Sequence, residues 1–178
     1  EINARLQVEH PVTETITGLD LVKLQIESAE GKQLSIEQND ISACGYAIEC
    51  RLYAEDPSND FLPATGKVLQ WSLPSVEGLR VDTGVESGSE ISIFYDPMIA
   101  KLITGGADRK EAIRKMRYAL ENIVCTGLVT NQGFLIQLMQ NEDFINGNYD
   151  TGFLAQHPEL NQTKTENIHE VLIGVAIS

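Results

Sequence analysis

Only three cysteines, Cys44, Cys50 and Cys125, occur in the 178 residues. An odd number without metal-ligand spacing gives neither a disulfide scaffold nor a thiolate zinc site. If Cys44 and Cys50 lie in one extended run, they are about 20 Å apart at ~3.3 Å per residue, too far to bridge or to share a metal. A reducing compartment fits best, cytoplasm or, in a eukaryote, the mitochondrial matrix. Basic residues are also scarce. Lys and Arg number 13 against 26 Asp and Glu, a formal charge of -13. So negative a surface repels polyphosphate backbones and anionic lipid, so nucleic acid and membrane are not expected partners. No apolar run approaches the ~20 residues of a membrane span, and no signal peptide is visible. The three histidines, His10, His157 and His169, make no metal pattern, and Glu9-His10 lacks the second histidine of a zincin helix. No glycine-rich phosphate loop, internal repeat or low-complexity tract occurs.

What is present suits a packed domain. Apolar residues make up 42% and charged residues 22%, enough for one sizeable core or for a domain with an appendage. Residues 1–9 alternate with period two and predict a strand with one buried face, which Pro11 then stops. Leu19, Leu21, Val22, Leu24, Gln25 and Ile26 approximate helical spacing, ending near Gly31. Residues 46–54 alternate again: Tyr46, Ile48, Cys50, Leu52 and Ala54 share one side, and Ala47, Glu49, Arg51 and Tyr53 the other. Turn chemistry fills 55–66. Short strands are predicted at 67–73, 79–85, 90–95 and 98–104, a spacing that favours an antiparallel meander or small barrel. Asp108 with Glu111 predicts a capped helix whose stripe is Ala112, Ile113, Met116, Ala119, Leu120 and Ile123. Its Arg109, Lys110, Arg114, Lys115 and Arg117 read as a solvated face in preference to a binding patch. Further helices are predicted at 132–139 and 151–156. A polar linker after Pro158 leads to a last apolar stripe at Ile168, Val171, Leu172, Val175 and Ala176.

The opening run, EINARLQVEHPVTE, sets Glu1, Asn3, Arg5, Gln7 and Glu9 on one side and Ile2, Ala4, Leu6 and Val8 on the other. Two readings stand. The polar side is a solvated strand face, or it offers a divalent-cation ligand, an anion fork and a proton acceptor. In a straight strand Glu1 and Glu9 would be about 26 Å apart. Either the chain bends before His10, or the two acids serve different ends of a long site.

The same run closely resembles the segment of the biotin carboxylase family, within the ATP-grasp ligases, that carries a metal ligand and the bicarbonate site. The resemblance continues through AIECRLYAEDPSNDFLPATG (47–66), RVDTGV (80–85), YDPMIAKLI (95–103) and GLVTN (127–131), covering roughly 1–160. Carbamoyl-phosphate synthases share the E-x-N-x-R core but diverge where this chain reads QVEHPVTE. The departures, Ile2 and Ala4 where Met and Thr are common, lie on the apolar side. The resemblance implies that Glu1 and Asn3 bind magnesium or manganese and the ATP phosphates. It implies that Arg5, Gln7 and the Val8 backbone hold bicarbonate, with Glu9 the general base. Arg51 corresponds to the cation that stabilises the enolate of biotin, and Asp96 to a biotin-site residue that could orient Arg51. The rival reading of Glu9 is an ion pair with a nearby arginine. Lys101 reads as a lysine snorkelling from the core edge.

The resemblance implies an α+β fold: a mainly antiparallel, small barrel-like β region with flanking helices, opened by the tail of an ATP-grasp strand. Residues 1–17 would be the last segment of the ATP-grasp site, 18–158 the biotin carboxylase C-terminal domain, and 159–178 a linker and the start of a helix. The expected activity is ATP-dependent carboxylation of carrier-bound biotin through carboxyphosphate, with the nucleotide-binding half and lid lying upstream and the isolated chain silent. Expected cofactors are ATP, magnesium or manganese, and biotin on a carrier domain. Expected partners are the upstream ATP-grasp halves of the same chain, the biotin carboxyl carrier domain, a carboxyltransferase subunit and a second copy in a homo-oligomer. The tail, with YAEDPSN and RVDTGV, looks like an acyl-CoA carboxylase α-subunit of propionyl- or methylcrotonyl-type. Two alternatives stay open, another ATP-grasp carboxylate or carbamate ligase and a non-catalytic docking module.

Overall fold

The alternation at residues 46–54 becomes the strand around which the chain is arranged. The computed structural model describes residues 3–161. In chain order its first elements are α1 (His10–Thr17), α2 (Leu21–Ala29), β1 (Tyr46–Tyr53), β2 (Glu55–Asp56), β3 (Leu62–Pro63), β4 (Gly66–Lys67) and β5 (Gln70–Ser72). There follow β6 (Leu79–Thr83), β7 (Glu90–Ile91), β8 (Met98–Gly106), α3 (Arg109–Asn122), β9 (Val124–Thr126), α4 (Gln132–Gln140), α5 (Glu142–Asn146) and α6 (Phe153–Gln156). β8 lies between β1 and β6 in a three-stranded antiparallel sheet. The remaining strands pair as β2–β3, β4–β7 and β5–β9, also antiparallel. The fold is a mixture of helices and antiparallel sheet, as expected, and the sheet does not close into a barrel.

Period-two geometry gives the three-stranded sheet two unlike faces. One carries Ile48, Cys50 and Leu52 from β1 beside Ala100, Leu102 and Thr104 from β8, all buried. Helix α3 covers it with Ala112, Ile113, Met116 and Leu120, the predicted stripe. Thr104 donates its hydroxyl to the Ala112 carbonyl at 2.9 Å, so this buried hydroxyl is satisfied. Burial pushes the Cys50 thiol up to about 12, which leaves it an inert core residue. The opposite face carries two cross-strand rows. Arg51, Lys101 and Asp82 form one, and Glu49, Ile103 and Arg80 the other. Helix α1 lies over this charged face against β1 and β8.

Local signals place α3. Asp108 caps it by accepting from the Glu111 N–H at 2.8 Å, while the Glu111 carboxylate accepts from the Ala107 N–H at 2.7 Å. Its basic residues are engaged within the fold: Arg109 donates to the Phe144 carbonyl at 2.6 Å, Lys115 to the Gly105 carbonyl, and Arg117 pairs with Glu121.

Several expectations need correction. Residues 3–9 form bends and a turn instead of a strand, and Ala4 is exposed. A period-two pattern becomes a strand only beside another strand that takes its backbone hydrogen bonds, and no described strand pairs with this segment. The 90–95 strand reduces to β7, because Ile93, Phe94 and Tyr95 point outward at 76%, 83% and 84% exposure. The 67–73 strand breaks into β4 and β5, which pair with different partners. Helix α2 forms as read, with an Asp20 cap, but buries none of its residues among those described. Helix α5 was unpredicted; α4 and α6 appear close to 132–139 and 151–156. The apolar stripe at 168–176 and His169 lie outside the described residues.

This packing predicts a sharp contrast between two positions on α3. Leu120, fully buried, should lose about 2–5 kcal/mol on truncation to alanine. Arg114→Ala, on the outer face, should change stability by no more than about 0.5 kcal/mol. Urea denaturation of the two variants checks the assignment.

Candidate functional site

The site begins with the helix that the sequence concealed. Pro11 ends a strand, but it also suits the first turn of a helix, where its missing N–H has no intrahelical partner. It occupies that turn in α1 and is buried. The His10 N–H and the His10 Nδ1 both reach the Gln7 carbonyl, at 3.2 and 2.8 Å, and the Val12 N–H reaches the Glu9 carbonyl. The segment therefore bends before His10.

Three charged contacts fasten this segment and α1 to the sheet. Lys101 donates to the Val8 carbonyl at 3.1 Å and pairs with Asp82 at 3.3 Å. Arg80 forks onto Asp82 at 2.8 and 3.0 Å and reaches the Glu14 carboxylate at 2.6 Å. The second Glu14 oxygen accepts from the Leu21 N–H at 2.8 Å, which ties α2 to the same cluster. Lys101 is thus more than a snorkelling lysine. Burial alone would push the Glu14 carboxyl up, but the Arg80 and Leu21 hydrogen bonds with the His10 and Arg80 charges hold it below its ordinary range. The Arg80 hydrogen bond, aided by Lys101, outweighs burial and does the same for Asp82.

The remote guanidinium meets the opening segment directly. Arg51 Nη2 donates to Glu9 Oε2 at 2.8 Å across 42 residues of sequence. Register explains the meeting: Arg51 faces Lys101 across the β1–β8 ladder, and Lys101 holds the residue before Glu9. The ion pair weighed for Glu9 is therefore formed. Both side chains are partly exposed, so the pair aligns groups more than it stabilises the fold. On the other edge of Arg51, Nε lies 3.6 Å from the buried Glu49 carboxylate. Asp96 does not orient Arg51. Its carboxylate instead accepts from the Met98 N–H at 2.9 Å, closing a turn before β8. Asp96 still acts electrostatically nearby: burial first, then the Asp96 charge, push the Tyr53 hydroxyl up.

Asn131 fixes the backbone beneath this cluster. It is buried; its side chain accepts from the Tyr53 N–H at 2.9 Å and donates to the Arg51 carbonyl at 3.1 Å, replacing a strand on the free edge of β1. The sequence reading assigned no role to Asn131 or Glu49. Two signals were available, the place of Asn131 in GLVTN and the parity that set Glu49 beside Arg51.

Asn3, Arg5, Gln7 and Glu9 line an open groove of about 660 Å³ whose other wall includes Leu21 and Leu24 of α2. Arg5 has no carboxylate within ion-pair distance among the described residues, and its one hydrogen bond is to the Leu6 carbonyl at 3.4 Å. The Gln7 side-chain nitrogen is buried, with no acceptor among the described residues. A planar guanidinium without a carboxylate partner, on a groove that Gln7 also lines, suits a small planar oxyanion. Glu9 can accept its proton, and Arg51 supplies fixed positive charge next to that proton acceptor. Among the described residues no three His, Cys, Asp or Glu side chains gather to hold a metal. Glu1 lies outside the described residues, and Asn3 is on the groove wall. One or two oxygen donors suffice for magnesium that is bound mainly through phosphate and water, so this donor set fits that ion.

Comparison with known proteins extends these observations. The model of the biotin carboxylase C-terminal domain matches residues 49–156, and that of the carbamoyl-phosphate synthase L chain ATP-binding domain matches residues 1–37. The human mitochondrial propionyl-CoA carboxylase alpha chain is 51% identical over 87% of this chain and 22% of its own length. The mouse mitochondrial methylcrotonoyl-CoA carboxylase subunit alpha is 42% identical over 99% of this chain and 26% of its own length. The chain thus spans about a quarter of these curated relatives. Among solved structures, the biotin carboxylase domain dimer of Hydrogenobacter thermophilus 2-oxoglutarate carboxylase, in complex with MgADP, ADP and bicarbonate, superposes with a TM-score of 0.88 at 43% identity. That match covers 90% of this chain and 35% of the other.

Two predictions follow from the anchoring groups. Asn131→Ala leaves part-buried β1 backbone groups without this partner and should cost about 1–3 kcal/mol in denaturant unfolding. The lowered folded-state values of Glu14 and Asp82 add stability that is complete above their ordinary values of 4.5 and 3.8 and is lost as pH falls through the lowered ones. Arg80→Ala should therefore flatten the acid-side decline of thermal stability while lowering the plateau at neutral pH.

Proposed function

The chain belongs to the biotin carboxylase family, and from that premise we propose that it supplies the bicarbonate and carboxyl-transfer side of an ATP-dependent biotin carboxylase. The observation that carries this reading is the 2.8 Å meeting of Arg51 with Glu9, which lines the same groove as Arg5 and Gln7. Arg5 and Gln7 bind bicarbonate through its oxygens, with the Val8 backbone completing the pocket. Glu9 takes the bicarbonate hydroxyl proton, and the freed oxygen attacks the ATP γ-phosphorus, giving carboxyphosphate and ADP. Arg51 provides positive charge where negative charge grows during carboxyl transfer. Glu1 and Asn3 would hold magnesium on the ATP phosphates, where it neutralises their charge. Biotin on a carrier domain would supply the nucleophilic nitrogen for the carboxyl group, with Asp96 as a residue that would line its site.

The same reading assigns residues 1–17 to the end of an ATP-grasp site, 18–158 to the C-terminal domain and 159–178 to a linker. It requires an upstream ATP-binding region, because this sequence has no glycine-rich phosphate loop. The similarity to propionyl- and methylcrotonoyl-CoA carboxylase alpha chains supports an acyl-CoA carboxylase α-subunit. Its partners would then be a carrier domain and a carboxyltransferase subunit, in the mitochondrial matrix or the cytoplasm. A second copy is also expected, as in the dimeric neighbour. The match of residues 1–37 to a carbamoyl-phosphate synthase domain favours a second reading, another ATP-grasp ligase. That enzyme would work without biotin.

Joined to its upstream ATP-binding region, the chain should show bicarbonate-dependent ATP cleavage and carboxylation of free biotin, whereas the isolated chain should show neither. Glu9→Gln should abolish both reactions by about 10²–10⁴-fold. Arg51→Ala should depress biotin carboxylation by about 10²–10³-fold and spare more of the ATP cleavage. ATP cleavage indifferent to biotin and to Arg51 supports the other ligase and overturns this one.

A further inference from the structure

Glu49 is a buried carboxylate that the chemistry above leaves unused. Its side chain is 4% exposed, and neither oxygen has a hydrogen-bond partner among the described residues. Its nearest cationic nitrogen is Arg51 Nε at 3.6 Å, an ion-pair contact too long for a hydrogen bond. It shares the charged face of the sheet with Arg51 and Lys101. Burial pushes its carboxyl up, against the pull of Lys101 and Arg51, and the charge of Glu9 pushes in the same direction as burial. The other charged groups of the elements around it are engaged elsewhere: His10 and Arg80 with Glu14, and Asp82 with Arg80 and Lys101.

Such an acid works against the fold at neutral pH. Because its folded-state value is raised, its contribution to stability is complete below the ordinary 4.5 and is lost as pH rises through the raised value. A buried charge that costs stability beside a reactive pair is a mark of function.

Arg51 stands between two acids of opposite exposure. Glu9, 54% exposed, holds Nη2, and Glu49 lies at Nε. The hold of Glu9 depends on its charge. Once the bicarbonate proton has moved onto Glu9, that ion pair has lost its anion, just when Arg51 is needed for carboxyl transfer. Glu49, buried on the sheet face beside Arg51, takes no part in the proton transfer. Resting on the biotin carboxylase reading, we propose that Glu49 is a positioning residue whose buried carboxylate holds Arg51 from its Nε side, keeping the guanidinium in the site while Glu9 carries a proton.

The test uses the chain joined to its upstream ATP-binding region and compares wild type, Glu49→Gln, Glu49→Asp, Arg51→Ala and the Glu49→Gln/Arg51→Ala double variant. Glu49→Gln should keep or raise the thermal midpoint yet lower kcat for biotin carboxylation by about tenfold to a hundredfold, with the KM for ATP unchanged. Glu49→Asp, which restores the charge, should recover part of the loss. Because Glu49 acts through Arg51, the double variant should be no slower than Arg51→Ala alone. Wild-type kcat in Glu49→Gln overturns the inference, as does a fall in kcat matched by a fall in the thermal midpoint, or additive losses in the double variant. If the wild-type chain cleaves no ATP in response to bicarbonate, the parent reading falls first and takes this inference with it.

Discussion

The cross-strand row of Arg51, Lys101 and Asp82 is the constraint on which the rest of the site depends. Antiparallel register places three charges side by side on one sheet face, and each is tied directly or through a neighbour to the amino-terminal segment or its helix. Arg51 meets Glu9, Lys101 meets the Val8 carbonyl, and Asp82 shares Arg80 with Glu14. A segment that pairs with no described strand thereby takes a defined position on the sheet.

Division of labour between the two sheet faces makes this arrangement affordable in stability. The α3 face is dry and close-packed, with Leu52, Leu102, Met116 and Leu120 at 0% exposure, and it provides the hydrophobic free energy. Charged groups can then occupy the other face, where partial exposure keeps their desolvation modest. Glu49 is the exception, buried on the charged side with neither oxygen hydrogen-bonded among the described residues. Asn131 belongs to the same logic, since it stiffens the free edge of β1 at the residues that carry Arg51 and Tyr53.

Much of this was legible in the sequence where one physical rule acted alone. Parity at 46–54 put Ile48, Cys50 and Leu52 inside and Arg51 on the polar side, and the α3 stripe and Asp108 cap formed as read. The antiparallel pairing followed from short, closely spaced strands. Reading failed where two rules competed. Alternation at 1–9 argued for a strand, but a strand also needs a neighbour, and Pro11 served as a helix starter instead of a strand breaker. Ile93, Phe94 and Tyr95 have strand composition yet are exposed, because β-propensity reflects packing that this loop does not receive. Asp96 was assigned to Arg51 by motif, but a two-residue backbone turn claims its carboxylate. Glu49 stood in plain view beside Arg51, and only burial, which sequence does not carry, sets it apart.

The most direct measurement of the central claim is a crystal structure of the chain with its upstream ATP-binding region, soaked in bicarbonate and an ATP analogue. The account predicts bicarbonate on Arg5 and the Gln7 amide, its hydroxyl facing Glu9, with Arg51 still held on the sheet above Glu49. Bicarbonate bound away from Gln7, or Arg51 turned away from Glu9 and Glu49, would contradict it.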